Sequence, residues 1–409
     1  LRARRGLVDR LVARARVVRD PARPLAWFHA SSVGEGLQAR PVVEALRAAR
    51  PDVQVAYTFF SPSAERFAAG LGADLCDYLP FDRASHADAL LDALQPSVLV
   101  FAKLDVWPVL VSRAAARGVP VALVSATLAA RSGRRGWWSR QLLHGAYAAL
   151  DAVAAIDAGH AERLVALGVR RAVVQVAGDT RFDQVAARAE RADRASPMLA
   201  ALHDDRVTLV AGSTWPADEA VLLPAWRDVH ARDPSRSMRL VIAPHEPTPA
   251  HLAPIERWAA ECGLTLRRLT AIEAQGAEAS ATGPDVVLVD RVGALGDLYA
   301  LADAAFVGGG FHAAGLHSVI EPAAFGVPVL FGPGHDMSRE AGLLLEAAGG
   351  RVARSSAELA AILTTWRDDR DARQRAGAAA RALVERERGA TERTLSVLLG
   401  LLGTEDRRR

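Results

Sequence analysis

Phe306-Val307-Gly308-Gly309-Gly310-Phe311, then Gly315-Leu316-His317-Ser318-Val319-Ile320-Glu321-Pro322-Ala323, then Gly326-Val327-Pro328-Val329: a short apolar run ends in three glycines, a helix follows, and a second apolar run begins. Strand, glycine turn, helix and strand in that order predict a parallel sheet with right-handed crossovers. Glycines closing a strand admit a phosphate near a helix N-terminus. That makes Gly308, Gly309 and Gly310 candidates for nucleotide binding. A helix starting around His317–Glu321 places Glu321 where it can accept both hydroxyls of a ribose.

The alternation extends outward from this segment. Apolar runs at 208–211, 239–243, 264–267, 286–289, 304–307 and 327–331 are separated by helical stretches. An earlier series occupies 25–29, 53–58, 98–101, 119–125, 152–156 and 173–176. The chain therefore reads as α/β, with two doubly wound Rossmann-like halves and ligands at the carboxyl ends of the strands, in a cleft between the halves. The expected division is 1–185 and 207–385, joined by a polar, Arg/Asp-rich linker at 186–206. A C-terminal helix at 386–409 is expected to pack back on the first half.

Composition narrows the function. Half of the 409 residues are apolar, 24% are charged, and the net charge is +3. So small a charge argues against nucleic-acid binding. Two cysteines, Cys76 and Cys262, supply neither a disulfide scaffold nor a cysteine-rich zinc site. No run of ~18 apolar residues spans a bilayer. The chain opens on Leu1, so an anchor upstream of it is expected. Of 50 basic residues, one is lysine, Lys103. It follows Phe101-Ala102 rather than a glycine, which excludes a P-loop. Asp369-Arg370-Asp371 lies in a charged helical run and reads as a solvated face. No metalloprotease, hydrolase or paired-cysteine motif occurs, and neither metal nor cofactor is expected.

Residues 1–24 carry eight arginines with apolar residues at helical spacing, ended by Pro21 and Pro24. They form either a solvated surface helix or one lying on an anionic membrane. In Trp27–Gly36 a strand ends in Ala30-Ser31-Ser32 and a helix opens with Glu35 in its first turn. Glu35 either offsets the helix dipole or acts as a general base. Lys103 and Asp105 follow another buried strand. Where this chain otherwise uses arginine, the one lysine reads either as a need for a compact ammonium or as a chance survivor of an arginine-rich codon bias. Arg134, Arg135, Trp137 and Trp138 suit a phosphate-bearing amphiphile or, alternatively, a helix start with core tryptophans. Ser213 and Thr214 offer hydroxyls and amides to a phosphate. His245 stands just past a strand.

These motifs, in order along nearly the whole chain, resemble those of the 3-deoxy-D-manno-octulosonic acid (Kdo) transferases. The resemblance rests on His29-Ala30-Ser31-Ser32-Val33-Gly34-Glu35, Thr58–Ser63, Tyr78–Asp82, Lys103–Trp107, Gly178–Asp183, Ala211–Thr214 and the glycine segment ending Glu321-Pro322-Ala323. The forms Phe-Phe-Ser-Pro-Ser and Gly-Asp-Thr-Arg-Phe-Asp look like the branch found in Bacteroidetes-like bacteria. The resemblance implies a GT-B fold and an inverting transfer of Kdo from CMP-Kdo to a phosphorylated lipid A precursor. It implies Glu35 as base, Asp105 as the acidic residue before Trp107-Pro108, and Lys103 beside it. Ser213, Thr214, His245, the three glycines, His317, Ser318 and Glu321 would hold the nucleotide. Ser31, Ser32, Gly34 and the Arg134–Trp138 segment would face the acceptor. His245-Glu246-Pro247 stands where the family has Arg-His-Pro, and Ser318 where it has Asn. The expected location is the cytoplasmic face of the inner membrane. Another sugar-nucleotide enzyme of this fold, such as an epimerase, and a non-catalytic membrane-peripheral relative remain the alternatives.

Overall fold

The structure, a computed structural model, describes residues 6–130, 132–203, 205–232, 238–275 and 283–403, without the side chains of Arg135 and Arg140. Seven parallel strands build the first sheet: β1 (Leu25–His29), β2 (Gln54–Phe59), β3 (Leu75–Tyr78), β4 (Val98–Ala102), β5 (Val121–Ala126), β6 (Ala152–Ala155) and β7 (Val174–Val176). Their order is β3-β2-β1-β4-β5-β6-β7. Seven more build the second: β8 (Thr208–Thr214), β9 (Arg239–Pro244), β10 (Leu266–Arg268), β11 (Val286–Leu288), β12 (Ala304–Val307), β13 (Val329–Phe331) and β14 (Gly350–Val352). Their order is β10-β11-β9-β8-β12-β13-β14. Strands β3 and β14 escape the sequence reading. Cys76-Asp77 interrupts the apolar run of β3, and β14 is three residues with a glycine and an arginine.

Uninterrupted apolar runs form these strands because helices cover both faces of each sheet. In the second sheet, Leu209, Leu240, Ile242, Phe306 and Leu330 pack with Trp226, Leu363 and Trp366 on one face. Their neighbours Val210, Val241, Val287 and Ala305 pack on the other with Leu199, Leu269 and Val327. That is the two-residue period of a pleated strand. In the first sheet the core centres on Trp27, Tyr57, Phe101 and Tyr147.

The chain forms two compact units, Leu1–Gln184 with Glu387–Arg409, and Val185–Arg386. Helix Ala390–Gly403 buries Leu398 and Leu402 in the first core and packs on helix Val33–Ala49 and on β6. The segment expected to be a linker, 186–206, belongs to the second unit. It contains the end of helix Thr180–Arg191 and a helix Pro197–Ala201. Leu199 and Leu202 are buried in the second unit, where the fully buried Arg239 donates to the Leu202 carbonyl and, at 3.2 Å, to Thr208 Oγ1.

The basic leading segment is helical over Leu7–Val18, and its apolar side is committed: Leu7, Leu11 and Ala15 are buried. Arg10 donates to both oxygens of Asp77 at 3.0 Å, and Arg14 to one at 3.2 Å. Burial pushes the Asp77 carboxyl up, but the hydrogen bond from Arg10, the Tyr78 amide and both cations bring it below its ordinary range. Among the described residues, no helix is long and apolar enough to cross a membrane.

Candidate functional site

In each sheet the order reverses beside its first strand, between β1 and β4 and between β8 and β12. A crevice opens at the carboxyl ends of such a pair of strands. The first-unit motifs follow β1 and β4, and most second-unit motifs follow β8 and β12.

After β1 the chain turns into helix Val33–Ala49. Glu35, its third residue, reaches back to Ser32 in the manner of a capping box. Glu35 Oε2 accepts from the Ser32 amide at 2.7 Å and from the Ser32 hydroxyl. Its other oxygen, Oε1, accepts no hydrogen bond among the described residues, and Gly34 beside it is exposed. Glu35 is thus both a helix cap and a half-exposed carboxylate at the strand edge.

After β4 stands Lys103, in the left-handed region at φ 66°. Its amide donates to Val124 O (2.8 Å) and its carbonyl accepts from Thr127 (3.0 Å). A non-glycine residue held there costs on the order of 1–3 kcal/mol, and such costs cluster at functional sites. The ammonium makes no ion pair among the described residues. Asp105, expected beside Lys103, is engaged elsewhere. It accepts from the Ser31 hydroxyl, from Trp107 Nε1 at 3.3 Å and from Arg134 Nη2 at 3.3 Å. Burial pushes the Asp105 carboxyl up, but the Ser31 hydrogen bond, His29, Trp107 and Arg134 together bring it below its ordinary value.

Arg134 is a strap rather than a free phosphate fork. Its Nη1 donates to Leu104 O at 2.6 Å and to Tyr147 Oη at 3.2 Å, while Nη2 holds Asp105. The Arg135 side chain lies outside the described residues. Trp137 and Trp138 are not core residues: they are 63% and 73% exposed, at the start of helix Trp137–Ala148, with Leu142 at 79%.

In the second unit, the glycines answer first to the chain's own packing. A Cβ on Gly308 would stand 2.2 Å from Ser213 O, and one on Gly309, at φ +93°, would stand 2.1 Å from Gly315 O. One on Gly310 would stand 2.5 Å from the Gly332 amide nitrogen. The space expected for a phosphate is, at the Cβ positions, filled by backbone. Thr214 also departs from expectation. It is fully buried, and its hydroxyl donates to Glu219 Oε1 at 2.8 Å, so it offers no hydroxyl to a ligand. Ser213, at φ 52°, sits where the β8–β9 register shifts.

Sequence reading missed the side chains that organise this edge. Buried Asp218 accepts from the amides of Trp215 (2.9 Å), Gly309 (2.8 Å) and Phe311 (3.1 Å), tying the glycine turn to helix Pro216–Arg232. Trp215 stacks on His312 at 4.2 Å and on His245 at 4.6 Å, and its Nε1 donates to His317 Nε2 at 3.1 Å. His245 stacks on His317 at 4.6 Å. Burial lowers the His317 pKa, and the neighbouring imidazoles His245 and His312 lower it further. The two expected histidines are therefore brought together. The available signal was Trp215-Pro216-Ala217-Asp218 directly after Ser213-Thr214. Burial raises the Glu321 carboxyl pKa, and Arg188 and Ser318 draw it back. Ser318 is exposed. Among the described residues no group of three or more His, Cys, Asp or Glu is placed to hold a metal ion.

Residues 1–184 match the family model described as 3-deoxy-D-manno-octulosonic-acid transferase (kdotransferase). A 3-deoxy-D-manno-octulosonic acid transferase of Bordetella pertussis is 33% identical over 410 residues, covering 96% of this chain and 92% of the relative. That of Haemophilus influenzae is 26% identical, covering 91% and 86%. Among solved structures, UDP-GlcNAc 2-epimerase from Neisseria meningitidis superposes with a TM-score of 0.64 at 12% identity, covering 92% of this chain and 100% of that one. The epimerase from Methanocaldococcus jannaschii gives 0.58 at 14% identity, covering 88% and 98%. At such identities the likeness is one of fold.

Proposed function

The chain belongs to the 3-deoxy-D-manno-octulosonic acid transferases and is a glycosyltransferase of GT-B fold, and from that premise we propose that it moves Kdo from CMP-Kdo to a phosphorylated lipid A precursor. Glu35 is the base. Oε2 is held by Ser32, which leaves Oε1 to take the proton of the acceptor hydroxyl. The acceptor oxygen bonds to the anomeric carbon as the bond from that carbon to the CMP phosphate oxygen breaks. Inversion follows from attack opposite the leaving group, and CMP departs with the electron pair. The placement of Glu35, fixed at the carboxyl edge of β1 with one free oxygen, carries this reading.

Ser31, Ser32 and Gly34 line the acceptor side, with Lys103 available to an anionic sugar or lipid group. The second unit holds CMP through Ser213, His245, His317, Ser318 and Glu321, with Gly308, Gly309 and Gly310 shaping the turn that Asp218 anchors. Exposed Trp137, Trp138 and Leu142 form the contact with the inner-membrane surface. Mass spectrometry of lipids after incubation with CMP-Kdo and the acceptor tests the assignment. A product heavier by one or more Kdo residues is expected, and no product under turnover conditions refutes it.

A further inference from the structure

Behind the Ser31–Glu35 turn lies a row of polar side chains of which the proposed function uses only Ser31. Trp27 Nε1 donates to Thr58 Oγ1 at 2.9 Å. Thr58 Oγ1 is 3.0 Å from His29 Nδ1, and His29 Nε2 is 3.0 Å from Ser31 Oγ. Ser31 donates to Asp105. Trp27, His29 and Thr58 are each no more than 1% exposed, so no solvent relieves a mismatched partner.

The donor inventory fixes the direction of the row. An ionised Asp105 only accepts, so the single Ser31 proton points to it. Ser31 must then accept from His29, which places a proton on Nε2. Neutral His29 leaves Nδ1 bare, and Thr58 supplies its hydroxyl proton there while accepting from Trp27. Every bond runs one way, from the core to the carboxylate. Thr58 has a second acceptor, Phe28 O at 3.3 Å, to which its proton can turn if His29 becomes charged.

We propose that His29 is the positioning residue of the catalytic turn, locked as its Nε2–H tautomer at the centre of a one-way hydrogen-bond chain from Trp27 to Asp105. The chain holds Ser31, whose neighbour Ser32 grips Glu35, so a break in it lets the base drift. This last step rests on Glu35 being the base. A misplacement of about 1 Å at a reacting group costs on the order of 100-fold in rate.

Nitrogen-15 NMR of the imidazole at neutral pH reads the tautomer without any substrate. A protonated Nε2 with a bare Nδ1 is expected, and a protonated Nδ1 overturns the chain. Turnover reads the positioning. His29→Leu should lower kcat about 10–100-fold with the KM for CMP-Kdo unchanged. His29→Gln, whose amide nitrogen can still donate to Ser31, should recover most of it. Ser31→Ala cuts the same chain at its half-buried end, should fold, and should lose as much as His29→Leu. The double variant should lose no more than either alone. Parental kcat in Ser31→Ala, or additive losses, overturns the positioning role. An inactive parent whose Nε2 is nonetheless protonated would remove the proposed reaction and leave the chain standing.

Discussion

Glu35 divides two tasks between its two oxygens, and substitution can separate them. Glutamine also serves at the third position of a capping box. Glu35→Gln should therefore melt like the parent while losing about 10²–10⁴-fold in turnover. Glu35→Ala should lose the cap as well, at about 1 kcal/mol. Turnover within a few-fold of the parent in the glutamine variant would take the base role away. His29 sets a pH dependence of stability. Burial holds its pKa down to about 4 against the attraction of Asp105, below the 6.5 of an exposed imidazole. Between those values the unfolded chain binds a proton that the folded one does not. Stability is then full above about 6.5, falls as pH drops toward about 4 by up to about 3 kcal/mol, and loses nothing more from this group below that. Urea unfolding at pH 7.5 and 4.5 measures the slope, which His29→Gln should flatten. The sequence placed Glu35 because strand, small residues and helix cap are local signals. It could not place Thr214, whose hydroxyl turns inward to Glu219 in the first turn of the following helix, or the His29 chain, whose links to Thr58 and Asp105 span distant parts of the sequence.

Elements show the same division between local and distant causes. Ordinary apolar runs gave away twelve of the strands, whereas β3 carries Asp77 for the sake of arginines 67 and 63 residues earlier. Those ion pairs and the burial of Leu7, Leu11 and Ala15 turn the leading helix toward its own unit. In the proposed function, membrane attraction falls instead to helix Trp137–Ala148, whose Trp137, Trp138 and Leu142 are exposed. Replacing Trp137 and Trp138 by serine should abolish sedimentation with anionic liposomes, while Arg16→Ser, on the leading helix, should leave it unchanged. Equal binding by parent and tryptophan variant would cancel the assignment. The glycine turn was read as a phosphate cradle from its composition, but only folded backbone reveals what approaches each Cβ. Gly308→Ala should cost about 1–3 kcal/mol or more, because Ser213 O cannot move far at the end of a strand. Gly342→Ala meets nothing within 4 Å inside helix Arg339–Glu346 and should stabilise by about 0.4–1 kcal/mol. Chemical denaturation of both variants checks the opposite signs.

At the scale of the molecule, the two-sheet architecture was the most legible feature, since alternation of strand and helix repeats from residue 25 to residue 331 and needs no single decisive residue. The unit boundaries were less so. Polar composition at 186–206 suggested a helical linker, because Leu199 and Leu202 are too few to register beside the arginines and aspartates around them. The two cores give ligand binding a spatial signature. CMP should slow amide exchange across Val185–Arg386, by about 2.7 kcal/mol at a hundredfold excess over Kd if exchange there requires unfolding of the unit, and leave β1 and β4 unaffected. Protection of β1 and β4 instead would relocate the nucleotide. The first unit closes with residues that come last: Asp183 accepts at 2.6 Å from the amides of Gly389 and Thr391, and helix Ala390–Gly403 completes its core. During synthesis at about 5–20 residues per second, roughly 10–40 s separate Gln184 from Glu387 on the ribosome. For that interval the first unit waits with an open apolar seam, and by its end the second, uninterrupted in sequence, is complete. The half that is translated first is the half that finishes last, and its seam is the surface a chaperone would have to guard.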